Sequence, residues 1–134
     1  MNQPDILTAT IRIAATPAEV FPYLVEPQLL VQWIGTWADV NPEPGGVFAI
    51  NFEDTQVRGN FVSVEPPSRV VFTWGTPGND ALPAGSSTVE ILLTADGNET
   101  VVELFHHDLP ADELPSHRAG WTTCLDMLRQ VAGS

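Results

Sequence analysis

The sequence predicts an α+β fold in which a curved antiparallel sheet of about seven strands wraps one long C-terminal helix, with two short helices after the first strand. Three observations carry this. From Trp37 to His107 the apolar residues recur with period two, as in strands that bury one face. Near the C-terminus the spacing turns helical, with Trp121, Leu125 and Leu128 at i, i+4 and i+7. Between them and the first strand, "TPAEVFPYLVEPQLLVQWIG" carries two helical signals punctuated by proline.

Taken in order, Ile6 to Ile13 alternates apolar and polar residues and is rich in β-formers, which predicts the first strand. Thr16, Pro17 and Glu19 form a capping box with proline at the first helical position. Val20, Phe21 and Leu24 give that helix an apolar side, and Glu26-Pro27 stops it because the residue before proline avoids the α region. Pro27 opens a second short helix, with Leu30, Trp33 and Ile34 on one side and Gly35 closing it. "GGVFAINF" places Phe48, Ile50 and Phe52 on one face of a strand. "QVRGNFVSV" follows a tight turn near Glu53-Asp54, with apolar residues on both sides.

Pro66-Pro67-Ser68 predicts a turn, and "RVVFTW" aligns Val70, Phe72 and Trp74. Residues 75 to 87 form the longest loop, the kind that more often carries function than a short one. Ala95-Asp96-Gly97-Asn98 joins "TVEILLT" to "TVVELFHH" as a hairpin. On these strands Val89, Ile91 and Leu93 share a face, as do Val102, Leu104 and His106. The final helix, "PSHRAGWTTCLDMLRQVA", would span roughly 27 Å at ~1.5 Å per residue, enough to cover a sheet face. The short helices would then plug the open end of the sheet. No repeat, low-complexity tract or linker interrupts 1–134, which is expected to be one domain.

Composition removes several function classes. Five arginines, no lysine and seventeen acidic residues give a formal charge of −12. Such a field repels nucleic acid and anionic lipid, so neither nucleic acid nor a membrane is expected as a partner; a basic protein or a second copy of the chain remains open. The absence of lysine removes Schiff-base chemistry and the lysine of a P-loop. No eighteen-residue apolar run is present, and "MNQPDILTAT" lacks the basic and apolar regions of a secretion signal. The single cysteine, Cys124, excludes an internal disulfide and fits a reducing cytoplasm.

Seven segments occur in an order that resembles one superfamily: "TPAEVF", "LLVQW", "PGGVF", "GNFVSVEPPSRVVFTW", "STVEILL", "TVVELFHHDL" and "GWTTCLDML". Together they resemble the helix-grip proteins of the START-like (birch-pollen-allergen-like, SRPBCC) superfamily, and within it the family named for activators of heat-shock-protein-90 ATPase. The resemblance implies a helix-grip fold. It leaves function open, because members bind lipids, hormones or polyketides, some are cyclases or dehydratases, and others contact chaperones. The eukaryotic co-chaperones carry a larger N-terminal domain; here the first strand starts within ten residues, so that domain is not expected.

A cavity between sheet and helix would be lined by Trp33, Phe48, Ile50, Phe72, Trp74, Ile91, Leu104, His106 and Trp121, with the 75–87 loop near its mouth. The expected partner is a small apolar or aromatic molecule, with no cofactor; a filled core is the competing expectation for the same side chains. Strand parity turns His106 inward, either toward a ligand, as acid or base, or into a core-edge hydrogen bond to backbone. His107 should point outward. His117, one turn before Trp121, would approach His106 if the helix register allows. Both histidines are candidates for an enzyme alternative (a cyclase, dehydratase or hydrolase) acting with a nearby carboxylate. With Asp112 or Glu113 they suggest a metal, but no HExxH or cysteine pairing supports one and none is expected. Cys124 lies on the helix's apolar stripe as a small core residue. A chaperone-linked or regulatory interaction domain is the third alternative, and it would need an exposed apolar patch.

Overall fold

Alternating burial along the strands builds one seven-stranded sheet in the computed structural model, which describes residues 6–133; residues 1–5 and 134 lie outside the described part. The strands are β1 (Leu7–Ile13), β2 (Trp37–Val40), β3 (Val47–Asn51), β4 (Gln56–Glu65), β5 (Arg69–Trp74), β6 (Ser87–Asp96) and β7 (Glu99–His107). Their order is β1-β7-β6-β5-β4-β3-β2, with every neighbouring pair antiparallel. Ser87, Val89, Ile91 and Leu93 of β6 face the core beside Thr100, Val102, Leu104 and His106 of β7. Gly97 takes the positive φ of 62° that the tight turn between them requires.

This order explains the helical interruption after β1. β1 and β2 are opposite edges of the sheet, so the chain must cross its whole width between residues 13 and 37. It crosses on three four-residue helices, α1 (Pro17–Val20), α2 (Pro22–Val25) and α3 (Pro27–Leu30). The first of the two expected helices is split because Pro22 has no N–H to continue the ladder. Phe21 N–H still reaches the Pro17 carbonyl at 2.8 Å, and the next turn restarts on Pro22. Thr16 and Glu19 form the expected capping box. Val20, Phe21, Leu24 and Leu30 face inward from this crossing.

The long helix α4 (Leu114–Ala132) follows a 3-10 turn at Ala111–Glu113 and buries Trp121, Leu125 and Leu128 against the sheet. Burying a leucine of this kind stabilises by about 2 kcal/mol, so the stripe alone fixes which side of the helix faces in. Trp33 Nε1 donates to the Tyr23 carbonyl at 2.8 Å, and Tyr23 Oη donates to the Val131 carbonyl at 3.3 Å. The tryptophan that ends the interruption thus staples the crossing segment, and Tyr23 ties that segment to the C-terminal half of α4. Seven antiparallel strands gripping one long helix, with short helices closing an end, form the helix-grip arrangement.

Candidate functional site

The N-terminal half of α4 does not meet the sheet everywhere. A partly open cleft of about 640 Å³ separates it from the β3–β4 turn and the loop after β5. Phe52, Asp54, Thr55, Gln56 and Val57 form one wall, and Thr76, Pro77, Asn79 and Leu82 another. The helix supplies Glu113, Ser116, His117, Gly120, Trp121 and Cys124, while Ile34 and Trp74 complete the floor.

The loop wall is built rather than loose. Thr76 N–H donates to the Leu82 carbonyl at 2.8 Å, and the Asn79 side chain accepts from Ala81 and Leu82 N–H at 3.0 and 3.2 Å. Leu82 is thereby buried although it sits in a loop. On the opposite side, a Cβ placed on Gly120 would meet nothing within 4 Å. The helix leaves a notch there, and the cleft extends outward past Gly120 toward Gly35, Thr36 and Thr123.

Beneath the cleft lies a chain of aromatic and imidazole contacts centred on Trp74. Its ring centroid is 5.0 Å from that of Trp121, 5.6 Å from His106 and 6.3 Å from His117. The two imidazole centroids are 5.4 Å apart. Trp121 Nε1 donates to His106 Nδ1 at 3.0 Å, so that nitrogen must carry the lone pair. His106 Nε2–H then donates to Ser87 Oγ at 2.8 Å, and the Ser87 hydroxyl donates in turn to the Trp74 carbonyl at 2.7 Å. His106 is fully buried, and burial first, then the neighbouring His117 and His107, pushes its pKa down to about 3. It is a neutral imidazole with both nitrogens engaged.

The second histidine repeats the pattern at the cleft surface. Trp74 Nε1 donates to His117 Nε2 at 3.3 Å, and His117 Nδ1–H donates to the Glu113 carbonyl at 2.9 Å. The Glu113 carboxylate stands 3.5 Å from the same Nδ1. Each imidazole therefore accepts from an indole N–H and donates to oxygen, and neither presents a free lone pair for proton transfer. Cys124 is half-buried at the cleft, and desolvation raises its pKa to about 11, which leaves it a thiol.

Of the side chains named from sequence, Trp74 and Trp121 line the cleft together with His117. His106 lies directly behind them. Phe48, Ile50, Phe72, Ile91 and Leu104 are buried in the core and do not border the cleft. Phe48 and Phe72 stack at 3.9 Å, with Trp74 tilted 6.4 Å from each. Trp33 is buried in its staple to Tyr23, away from the cleft. His107 lies outward, half-buried, 3.7 Å from Glu90. Sequence reasoning set Phe52 on the face of Phe48 and Ile50 and the 75–87 loop near the mouth, but it did not name Phe52, Asn79, Leu82 or Gly120 as lining residues. Gly120, an isolated glycine inside a strong helical pattern, was the one with a readable signal. No described group of histidine, cysteine, aspartate and glutamate side chains is arranged to hold a metal, and no described helix is long and apolar enough to cross a membrane.

Fold and cleft together define a helix-grip protein with a half-open cleft beside the N-terminal half of α4. The sequence model of the family described as "Activator of Hsp90 ATPase homolog 1-like protein" matches residues 14–133, and the chain belongs to that family. An AHSA1-like protein from Rhizobium etli is 36% identical, with a TM-score of 0.78 over 100% of this chain and 85% of its own. CalU16 from Micromonospora echinospora is 25% identical, with a TM-score of 0.80 over 95% and 75%. An HSP90 activator from Plasmodium falciparum shares the fold at 21% identity, with a TM-score of 0.80 over 96% of each chain. No functionally curated protein matches the sequence.

Proposed function

We propose that this protein binds a small molecule with an apolar or aromatic body in the cleft between the β3–β4 turn, the 76–82 loop and α4. One observation supports the reading above the others: a cleft of about 640 Å³ with two indole rings and Phe52 in its walls. Apolar walls with a few polar groups are the usual make-up of a small-molecule site, and this volume falls in the usual range. Binding is favoured over turnover because both imidazoles have their ring nitrogens committed. A reducing cytoplasm is the compartment that suits an unpaired half-buried Cys124.

The test is a titration with the neutral fluorophore N-phenyl-1-naphthylamine. Its emission should rise on binding, tryptophan emission should fall, and the melting temperature should climb. At about a hundred times its Kd, a ligand held only by the folded state adds roughly 2.7 kcal/mol. A probe that leaves both tryptophan emission and melting unchanged at saturating concentration would remove the proposal.

A further inference from the structure

The charge around the cleft goes further and selects a class of ligand. Asp54 and Glu113 border it, Glu53 lies beside Asp54 in its outward extension, and none of the described lining residues is an arginine. Arg12 pairs with Asp96 and Glu99, Arg69 with Glu65 and Glu90, and Arg129 with Asp126, while Arg118 is exposed on α4 next to His117 but does not line the cleft. Arg58 donates to the carbonyls of Ile50 and Val57 and lies 5.6 Å over the Trp37 ring. Neither cleft carboxylate is neutralised by a guanidinium in those pairs.

From this we infer that the preferred ligand is an organic cation, an aromatic or apolar body carrying an amine. The inference rests on the cleft being a ligand site, as proposed above. The body would lie against Trp74, Trp121 and Phe52, and the ammonium would stand at the rim where Asp54 and Glu113 face it. The indole faces add their own attraction for a cation. An anionic ligand would meet two like charges at the rim and a net charge of −12 over the whole chain. Thr55 Oγ1 donates to Asp54 Oδ1 at 3.3 Å and restrains that carboxylate, and the Glu113 carboxylate stands 3.5 Å from His117 Nδ1.

Three probes of one shape separate charge from shape: naphthalen-2-ylmethylammonium, naphthalen-2-ylmethanol and 2-naphthoate, each titrated calorimetrically into the protein. The ammonium should bind about three- to ten-fold tighter than the alcohol, from two partly exposed carboxylates, with the carboxylate probe weakest. The preference should shrink as salt is raised. Asp54→Asn and Glu113→Gln should each lower the ammonium-to-alcohol ratio, and the exposed position of Asp54 keeps the first variant folded. Equal binding of ammonium and alcohol, both blocked by Gly120→Phe, would overturn the charge inference while leaving the cleft a ligand site. A cation preference that survives in both carboxylate variants would also overturn it, since the attraction would then be that of the whole acidic surface. Failure of all three probes to bind would overturn both proposals.

Discussion

Filling the notch at Gly120 separates ligand binding from folding. In this helix the glycine costs about 0.5–1 kcal/mol relative to alanine, because its backbone loses more freedom on folding. A Cβ there meets nothing within 4 Å, so alanine should recover that cost without a clash. For 134 residues, an unfolding entropy of about 2.1 cal/mol/K per residue makes 1 kcal/mol worth roughly 3 to 4 °C. Gly120→Ala should therefore raise the melting temperature by about 2 to 4 °C. Gly120→Phe should keep stability within about 1 kcal/mol of the parent, because phenylalanine is also a better helix former than glycine. Its ring, however, enters the cleft between Phe52 and Trp121. Thermal melts followed by circular dichroism give the stability, and N-phenyl-1-naphthylamine titration gives the binding. Loss of probe affinity by ten-fold or more with melting preserved is the expected result. A Gly120→Phe protein that melts like the parent and still binds the probe with unchanged affinity would refute the placement of the site.

Three further outcomes follow from the same geometry. His106 has its pKa lowered to about 3 in the fold against about 6.5 unfolded, so its contribution is complete above pH 6.5 and is lost progressively as the pH falls toward 3. Chemical denaturation should show stability falling by about 2 kcal/mol between pH 7 and pH 5, and His106→Asn should flatten that slope; an unchanged slope in the variant would assign it elsewhere. His106→Ala should cost about 2–5 kcal/mol, since it opens a buried cavity and strips the Trp121 N–H of its acceptor; a melt within 0.5 kcal/mol of the parent would show that the network is not structural. Gly75→Ala should displace the 76–82 loop, because a Cβ there would sit 1.7 Å from the Pro83 carbonyl oxygen. Faster proteolysis within residues 76–86 and weaker probe binding are expected, and a protease-resistant loop with parental affinity would count against that loop as a cleft wall.

Much of the fold was legible because the side to which a strand residue points follows parity, as on β6 and β7, although β3 and β5 also bury Ala49 and Val71 from the other face. Val89, Ile91 and Leu93 announce their facing, and the same count turns His106 inward without knowledge of any neighbour. The helical stripe of Trp121, Leu125 and Leu128 identifies the buried side of α4 in the same way. Parity says nothing about how far a helix is shifted along its axis over a sheet, and that shift decides which indole meets which imidazole. The pairing of Trp121 with His106 and of Trp74 with His117 belongs to tertiary packing and has no counterpart in spacing. The cleft walls were hidden for a related reason. Leu82 and Asn79 sit in a loop, where no periodicity exists to mark a buried side chain.

Polar residues inside an apolar stripe carry the missing information. Ser87 opens the core face of β6, and His106 lies near the end of that of β7, beside Trp74 at the end of β5. All three are buried; Ser87 and His106 are satisfied by each other, by the Trp74 carbonyl and by Trp121, while the Trp74 N–H goes to His117. An imidazole at the centre of this sheet, among Leu104, Ile91 and Val70, would have no such partners and would cost several kcal/mol. Its tolerated position is where the grip stops being purely apolar, one layer behind the cleft. Trp74 and Trp121 are suited to this boundary because each presents an apolar ring to the cleft wall and an N–H to a histidine. The network keeps both indoles in fixed orientation, so the aromatic wall is in place before any ligand arrives. Breaking it from behind, as in His106→Ala, should therefore weaken probe binding as well as stability, although His106 itself does not border the cleft.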